Sequence, residues 1–323
     1  MATKKINWIL ILQGWAILWV VIGHAPLLPV EVEQPQYACV LYRIAYAFHM
    51  PLFVFVSGYL FHLTRMEGRI PYAKMLTDKL MRLGIPFVAF TIAAMLFKTL
   101  FATEMVRPAT VSATEFLNAF LYPGDGPLSE LWFVATLMWY FAMRPLWQAL
   151  CDSPVIAIVA LTALFCIPEL PTRNLLCYQN VLHYALFFYL GIIAHKRQIF
   201  DAPSRSNAIA VCAVIAAGAI TLPLSSELLG ALCGIAISIV GAKVADRYLP
   251  SLFRSFRDYS YQIYLMAIFV QIAVKILCKH GIVPSYAAGF LLCILCGIYL
   301  SVAVSLIIKK LNNKYLNLCI GLK

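Results

Sequence analysis

Two histidines fall where an ionisable side chain is expensive. His24 closes the segment Gln13-Gly-Trp-Ala-Ile-Leu-Trp-Val-Val-Ile-Gly-His24, and His49 sits in Ala47-Phe-His-Met-Pro-Leu-Phe-Val-Phe-Val-Ser-Gly58. A polar residue inside an apolar span is a functional candidate by default. Imidazole changes charge near neutral pH, and a pair at one depth supplies a general base and a group that orients it. Gln13 and His24 are eleven residues apart, close to three helical turns, so they share a helix face with a depth difference of about 16 Å. Pro51 lacks the N–H that would bond the carbonyl of Ala47 and clashes with that carbonyl, which opens the backbone beside His49. Opened backbone at membrane depth is tolerated where it lines a cavity. The competing readings are an interfacial His24 bonded to a loop carbonyl, and a kinked helix whose freed carbonyl is capped by His49.

Other residue types invite a role. Lys79 and Arg82 are spaced i, i+3 and fall on one side of a helix, with Pro86 following as a first-turn residue. Two cations beside a helix start suit a phosphorylated ligand, and the plainer reading is topology charge. Ser57, followed by Gly58, is a candidate nucleophile or substrate contact, against small residues packing between helices. Trp132, followed by Phe133, is either a substrate platform or part of an aromatic belt. Cys293 and Cys296 lie in an apolar run with no second pair, so no metal is expected where a structural site needs four ligands.

These residues must be positioned by membrane helices. The 323 residues are 63% hydrophobic and 12% charged, with a mean hydropathy of +0.84. A soluble domain is nearer 45–50% apolar and about 25% charged, so a soluble enzyme, a disordered chain and a nucleic-acid reader are excluded. The expected fold is all-α and polytopic. A spanning helix needs about 20 apolar residues, which gives ten expected spans near 6–28, 42–63, 84–103, 130–149, 154–168, 178–195, 207–223, 226–245, 259–278 and 286–308. The first is expected to stay uncleaved, because His24-Ala-Pro26 is a poor processing site. The stretch 64–83 reads as an amphipathic helix at the inner interface.

Lys and Arg in connecting loops set the orientation. With the N-terminus inside, nineteen of the 25 fall on the inner side and six, including Lys275, on the outer side. The net charge of +11 is then a topology signal, and both termini are expected to be cytoplasmic. Cys39 and Cys177 fall in expected outer loops, where a disulfide is chemically accessible. No separate soluble domain is visible, so residues 1–323 read as one transmembrane domain.

The ordered set Gly14-x-Ala16-x-x-x-Val20-x-x-Gly23-His24, Phe48-His-Met-Pro-Leu-Phe53 with Ser57-Gly58-Tyr59, and Lys79-x-x-Arg82-x-x-x-Pro86 resembles the membrane acyltransferase-3 family. The likeness is greatest to the branch of fucose-4-O-acetylase-like, polysaccharide O-acetyltransferase members. Leu131-Trp132-Phe133 and Ser260-Tyr-Gln-Ile-Tyr-Leu265 extend it toward the C-terminus. The resemblance implies an O-acetyltransferase of a bacterial inner membrane. It would move an acyl group from cytoplasmic acetyl-CoA, without a metal, to a hydroxyl of a surface or exported glycan. It maps His24 and His49 onto catalytic histidines, and Lys79, Arg82 and the Gln13 position onto donor binding. Ser57 and Trp132 become acceptor contacts. The family usually carries Arg or Lys where this chain has Gln13, and often ends its late motif in His where this chain has Ala267. The alternative is a multi-spanning transporter or flippase for a glycan. Transporters tend to pair interrupted helices in two halves, whereas the His-bearing, Pro-containing helix here is confined to the first 60 residues.

Overall fold

The computed structural model describes residues 7–25, 40–67, 70–104, 112–200, 227–283 and 285–322. Every regular element among them is helical. In order they are α1 (Asn7–His24), α2 (Val40–Phe61, running into a π-turn at His62–Met66), α3 (Tyr72–Leu100), α4 (Ala113–Leu121), α5 (Trp132–Ala142), α6 (Arg144–Leu150), α7 (Pro154–Phe165), α8 (Tyr178–Lys196), α9 (Glu227–Tyr248), α10 (Ser260–Lys279), α11 (Tyr286–Leu311) and α12 (Lys314–Cys319). Seven of these, α1, α2, α3, α8, α9, α10 and α11, are long and apolar enough to cross a bilayer. The expected span at 207–223 and Cys39 lie outside the described residues.

Two expected spans take a different form. The stretch 130–149 is divided at Met143 into α5 and α6, of 11 and 7 residues. Pro145 is the cause. It has no N–H for the carbonyl of Phe141. Carbonyls released by such a break need new donors inside a membrane protein. Trp147 Nε1 donates to the Tyr140 carbonyl at 2.7 Å, and Tyr72 Oη donates to the Ala142 carbonyl at 2.7 Å. The stretch 154–168 forms α7, whose 12 residues are shorter than a full crossing.

The expected interfacial helix at 64–83 and the span at 84–103 merge into the 29-residue α3. Pro86 is therefore inside α3 and not in its first turn. It deprives the Arg82 carbonyl of its usual partner, and the helix continues through it.

The chain forms two compact units. The first joins residues 1–59 to 194–307 and is organised around α1, on which α9 and α10 pack. Near the start of α1, Asn7 Nδ2 donates to Asp246 at 2.6 Å, and Arg257 Nη2 donates to Asn7 Oδ1 at 2.9 Å. About two turns further in, Trp15 Nε1 donates to Ser238 Oγ at 3.1 Å. Gly14 is needed for this approach, because a Cβ there would lie 2.7 Å from Phe253 Cβ and 3.0 Å from Arg257 Cβ.

The second unit joins residues 60–193 to 308–323. Its core is aromatic: Phe61, Tyr140, Phe141, Trp147, Phe188 and Tyr189 are all buried and meet at ring distances of 4.7–6.5 Å.

Candidate active site

The C-terminal turn of α1 positions His24. The last carbonyls of a helix have no partner within it, and α10 supplies donors. Gln271 Nε2 donates to the Val21 carbonyl and Lys275 Nζ donates to the His24 carbonyl, both at 2.8 Å. Gln271 and Lys275 are spaced i, i+4 and share one face of α10. A cation at this helix end also complements the negative pole of the backbone dipoles. Gly297 on α11 faces the same junction, where a Cβ would lie 3.4 Å from Val21 and 3.6 Å from Gln271.

His49 belongs to α2 and is only 2% exposed. Its Nδ1 lies 2.7 Å from the Ala45 carbonyl. A carbonyl can only accept, so Nδ1 carries the proton and the neutral ring keeps its lone pair on Nε2. The bonded carbonyl is not that of Ala47, which Pro51 frees, and α2 runs through Pro51 as helix. His49 is thus oriented by ordinary helix geometry and does not cap a break.

Tyr46 links the two histidines. Its ring meets His49 edge-on at 4.9 Å and His24 edge-on at 6.4 Å, and Tyr42 stacks on it at 3.9 Å. Gly23 leaves room for this, since a Cβ there would lie 3.4 Å from Tyr46 Cε2. Phe48 is keyed into α9 at Gly234, where a Cβ would overlap its Cβ and Cγ. Trp19 packs edge-on against Phe48 at 5.2 Å. His24 is half-buried whereas His49 is enclosed, so of the two imidazoles His24 is the more accessible.

The remaining expected residues of this unit behave differently. Ser57 Oγ donates to the Phe53 carbonyl at 2.9 Å, a bond within its own helix that occupies its proton. Gln13 is half-buried on α1, next to the Gly14 contact with Arg257. Ala267 is buried on α10 and brings no polar group.

Lys79, Arg82 and Trp132 belong to the second unit. Lys79 Nζ lies 3.9 Å from the centroid of the Phe141 ring, a cation–π contact at the end of α5. Arg82 is exposed one turn further along α3. Asp78 beside them is engaged by Arg65 at 3.5 Å. Trp132, at the start of α5, stacks on Tyr184 at 5.1 Å.

Sequence reasoning missed Tyr46, Gln271 and Lys275. Lys275 reads as an outer-side charge when loops are tallied, yet Gln271-x-x-x-Lys275 is a polar i, i+4 pair inside an apolar run. The rule that flags His24 and His49 applies to it equally.

No curated protein and no solved structure matches the chain. A family model described as an acyltransferase domain matches residues 6–310, from the start of α1 to the last turn of α11. With paired histidines on membrane helices inside that match, the chain belongs to the membrane acyltransferase-3 family and is a membrane acyltransferase.

Proposed function

We propose that the protein is an O-acetyltransferase that moves the acetyl group of cytoplasmic acetyl-CoA to a hydroxyl of a surface or exported glycan. The observation that carries this reading is the meeting of His24 and His49 on the ring of Tyr46, with the His49 tautomer fixed by the Ala45 carbonyl. His24, the reachable imidazole, takes the proton of the acceptor hydroxyl. The hydroxyl oxygen forms a C–O bond to the thioester carbonyl carbon, the C–S bond breaks, and the proton returns to the departing CoA thiolate. His49 offers Nε2 to the same proton network. Lys275 and Gln271 are positioning residues, because they hold the end of α1 on which His24 stands.

Lys79 and Arg82 bind the donor phosphates in this reading. Lys presents a compact charge and Arg a planar fork of donors. Trp132 and Tyr184 form a stacked platform suited to a sugar face.

The test is transfer from labelled acetyl-CoA to glycan in membranes of wild type, His24→Ala, His49→Ala and the double variant. General-base assistance is worth about 10²–10⁴-fold. His24→Ala should lose at least that much, and the double variant should lose little more than the worse single one, since groups acting as one unit are non-additive. Retention of most of the rate by His24→Ala at normal expression would overturn the mechanism.

A further inference from the structure

Arg144 stands at the α5–α6 break and is 9% exposed. Its one hydrogen bond runs from Nη1 to the carbonyl of Ile70 at 2.9 Å, and its buried Nε has no partner among the described residues. Nor is it in an ion pair among them: Asp78 pairs with Arg65, and Glu67 lies 3.8 Å from His62. A buried guanidinium without an anion is costly, because desolvation is not offset. Three residues earlier, Phe141 carries the ammonium of Lys79 on its ring, and between them the Ala142 carbonyl holds Tyr72, the first residue of α3. Two cations of different geometry therefore converge on the segment Phe141–Arg144, and one of them is buried, unneutralised and short of a partner.

We infer that Arg144 is a third phosphate-binding residue of the donor site, which rests on the assignment of Lys79 and Arg82 to acyl-CoA. The missing counter-ion is a phosphate group. A guanidinium edge presents two parallel N–H donors, a geometry suited to phosphate oxygens. The Ile70 bond fixes the side chain through Nη1 and leaves Nε to pair with the ligand. A phospholipid headgroup offers the same chemistry, and the experiment separates the two sources.

The measurement is the KM of the full-length enzyme in nanodiscs for acetyl-CoA, 3′-dephospho-acetyl-CoA and acetyl-pantetheine. The variants are Arg144→Gln and Arg144→Lys. Arg144→Gln should raise the KM for acetyl-CoA by about tenfold to a hundredfold, the range of one charge-assisted hydrogen bond, with kcat little changed. The effect should vanish for acetyl-pantetheine, which has neither the diphosphate nor the 3′-phosphate. Its loss already with the dephospho donor assigns Arg144 to the 3′-phosphate, and its persistence there assigns it to the diphosphate. Arg144→Lys, which keeps the charge without the fork, should give a smaller rise of the same selectivity and covers the case in which the Gln variant fails to insert. An unchanged KM ratio between acetyl-CoA and acetyl-pantetheine in both variants overturns the inference. So does a defect that appears only in phospholipid nanodiscs, is absent in a phosphate-free detergent, and leaves the donor KM constant, because the phosphate is then a headgroup. Lys79→Gln with Arg82→Gln is run alongside. If that pair leaves the donor KM unchanged, the donor site itself is misplaced. If the pair raises it and Arg144→Gln does not, the inference about Arg144 alone is wrong.

Discussion

Replacing Lys275 with Met tests whether α10 positions the end of α1 that carries the proposed base, His24. The substitution removes the 2.8 Å bond from Nζ to the His24 carbonyl and keeps an unbranched apolar chain of similar length. A hydrogen bond from a charged donor is worth about 1.5–3 kcal/mol. Lys275 is half-buried, so solvent screening places it at the lower end, about 1.5 kcal/mol. The Gln271 bond to Val21 remains and keeps α1 seated, so the loss falls on the last turn, where His24 stands. If the whole 1.5 kcal/mol appears as lost anchoring, the reactive arrangement is depopulated by about tenfold. Lys275→Met should therefore lower kcat about tenfold, with donor KM unchanged and a modest fall in Tm. That loss is well short of the hundredfold or more expected for His24→Ala. Lys275→Arg should restore most of the rate, because a long cationic donor still reaches the carbonyl. The assay is acetyl transfer at saturating acetyl-CoA, with thermal unfolding of the solubilised protein as the stability control. A Lys275→Met rate within twofold of wild type would refute the positioning role. A loss as deep as that of His24→Ala, at normal stability, would make Lys275 part of the chemistry.

Three further expectations concern the elements around the site. Lys79→Gln with Arg82→Gln should raise the KM for acetyl-CoA while insertion stays normal, read from donor saturation curves of the purified double variant; an unchanged curve reduces both to topology charges. Gly14→Ala places a Cβ 2.7 Å from Phe253 Cβ, a close approach between two main-chain-proximal atoms that costs about 1–3 kcal/mol, so Tm should fall clearly, whereas a neutral Gly241→Ala, with open space around it, serves as the control. A reporter joined after Lys323 should read cytoplasmic and a tag beside Asp125 should be labelled only from outside, and the reverse pattern would undo the orientation drawn from loop charge.

The long spans were legible because each is an unbroken apolar run of crossing length. A bilayer admits few alternatives to a helix for such a run. The break at Met143 was not legible. The run 130–149 is mostly apolar, with Glu130, Arg144 and Gln148 among its polar exceptions, and whether Pro145 kinks or divides it depends on donors elsewhere. Trp147 and Tyr72 supply them here by taking the carbonyls of Tyr140 and Ala142. Pro86 shows the opposite outcome: the same residue type sits inside α3, which carries on through it. Local sequence fixes that a carbonyl is freed, and tertiary structure decides whether the helix ends there.

From the sequence alone follow the membrane class, the all-helical architecture and the two histidines, because hydropathy and the cost of burying an ionisable group act within one segment. The ordered motifs that mark the family are likewise properties of single segments. What only the folded chain decides is which distant groups meet them. Tyr46 meets both imidazoles, the Ala45 carbonyl fixes the His49 proton, and Lys275 arrives 251 residues from His24 to hold the end of α1. Those pairings depend on how α10 lies against α1, and that packing is set by shape at positions such as Gly14 and Gly297. Helices in lipid gain little from hydrophobic burial against one another, so close packing of small residues and a few interhelical hydrogen bonds select the partner; no periodicity within a single span encodes that choice.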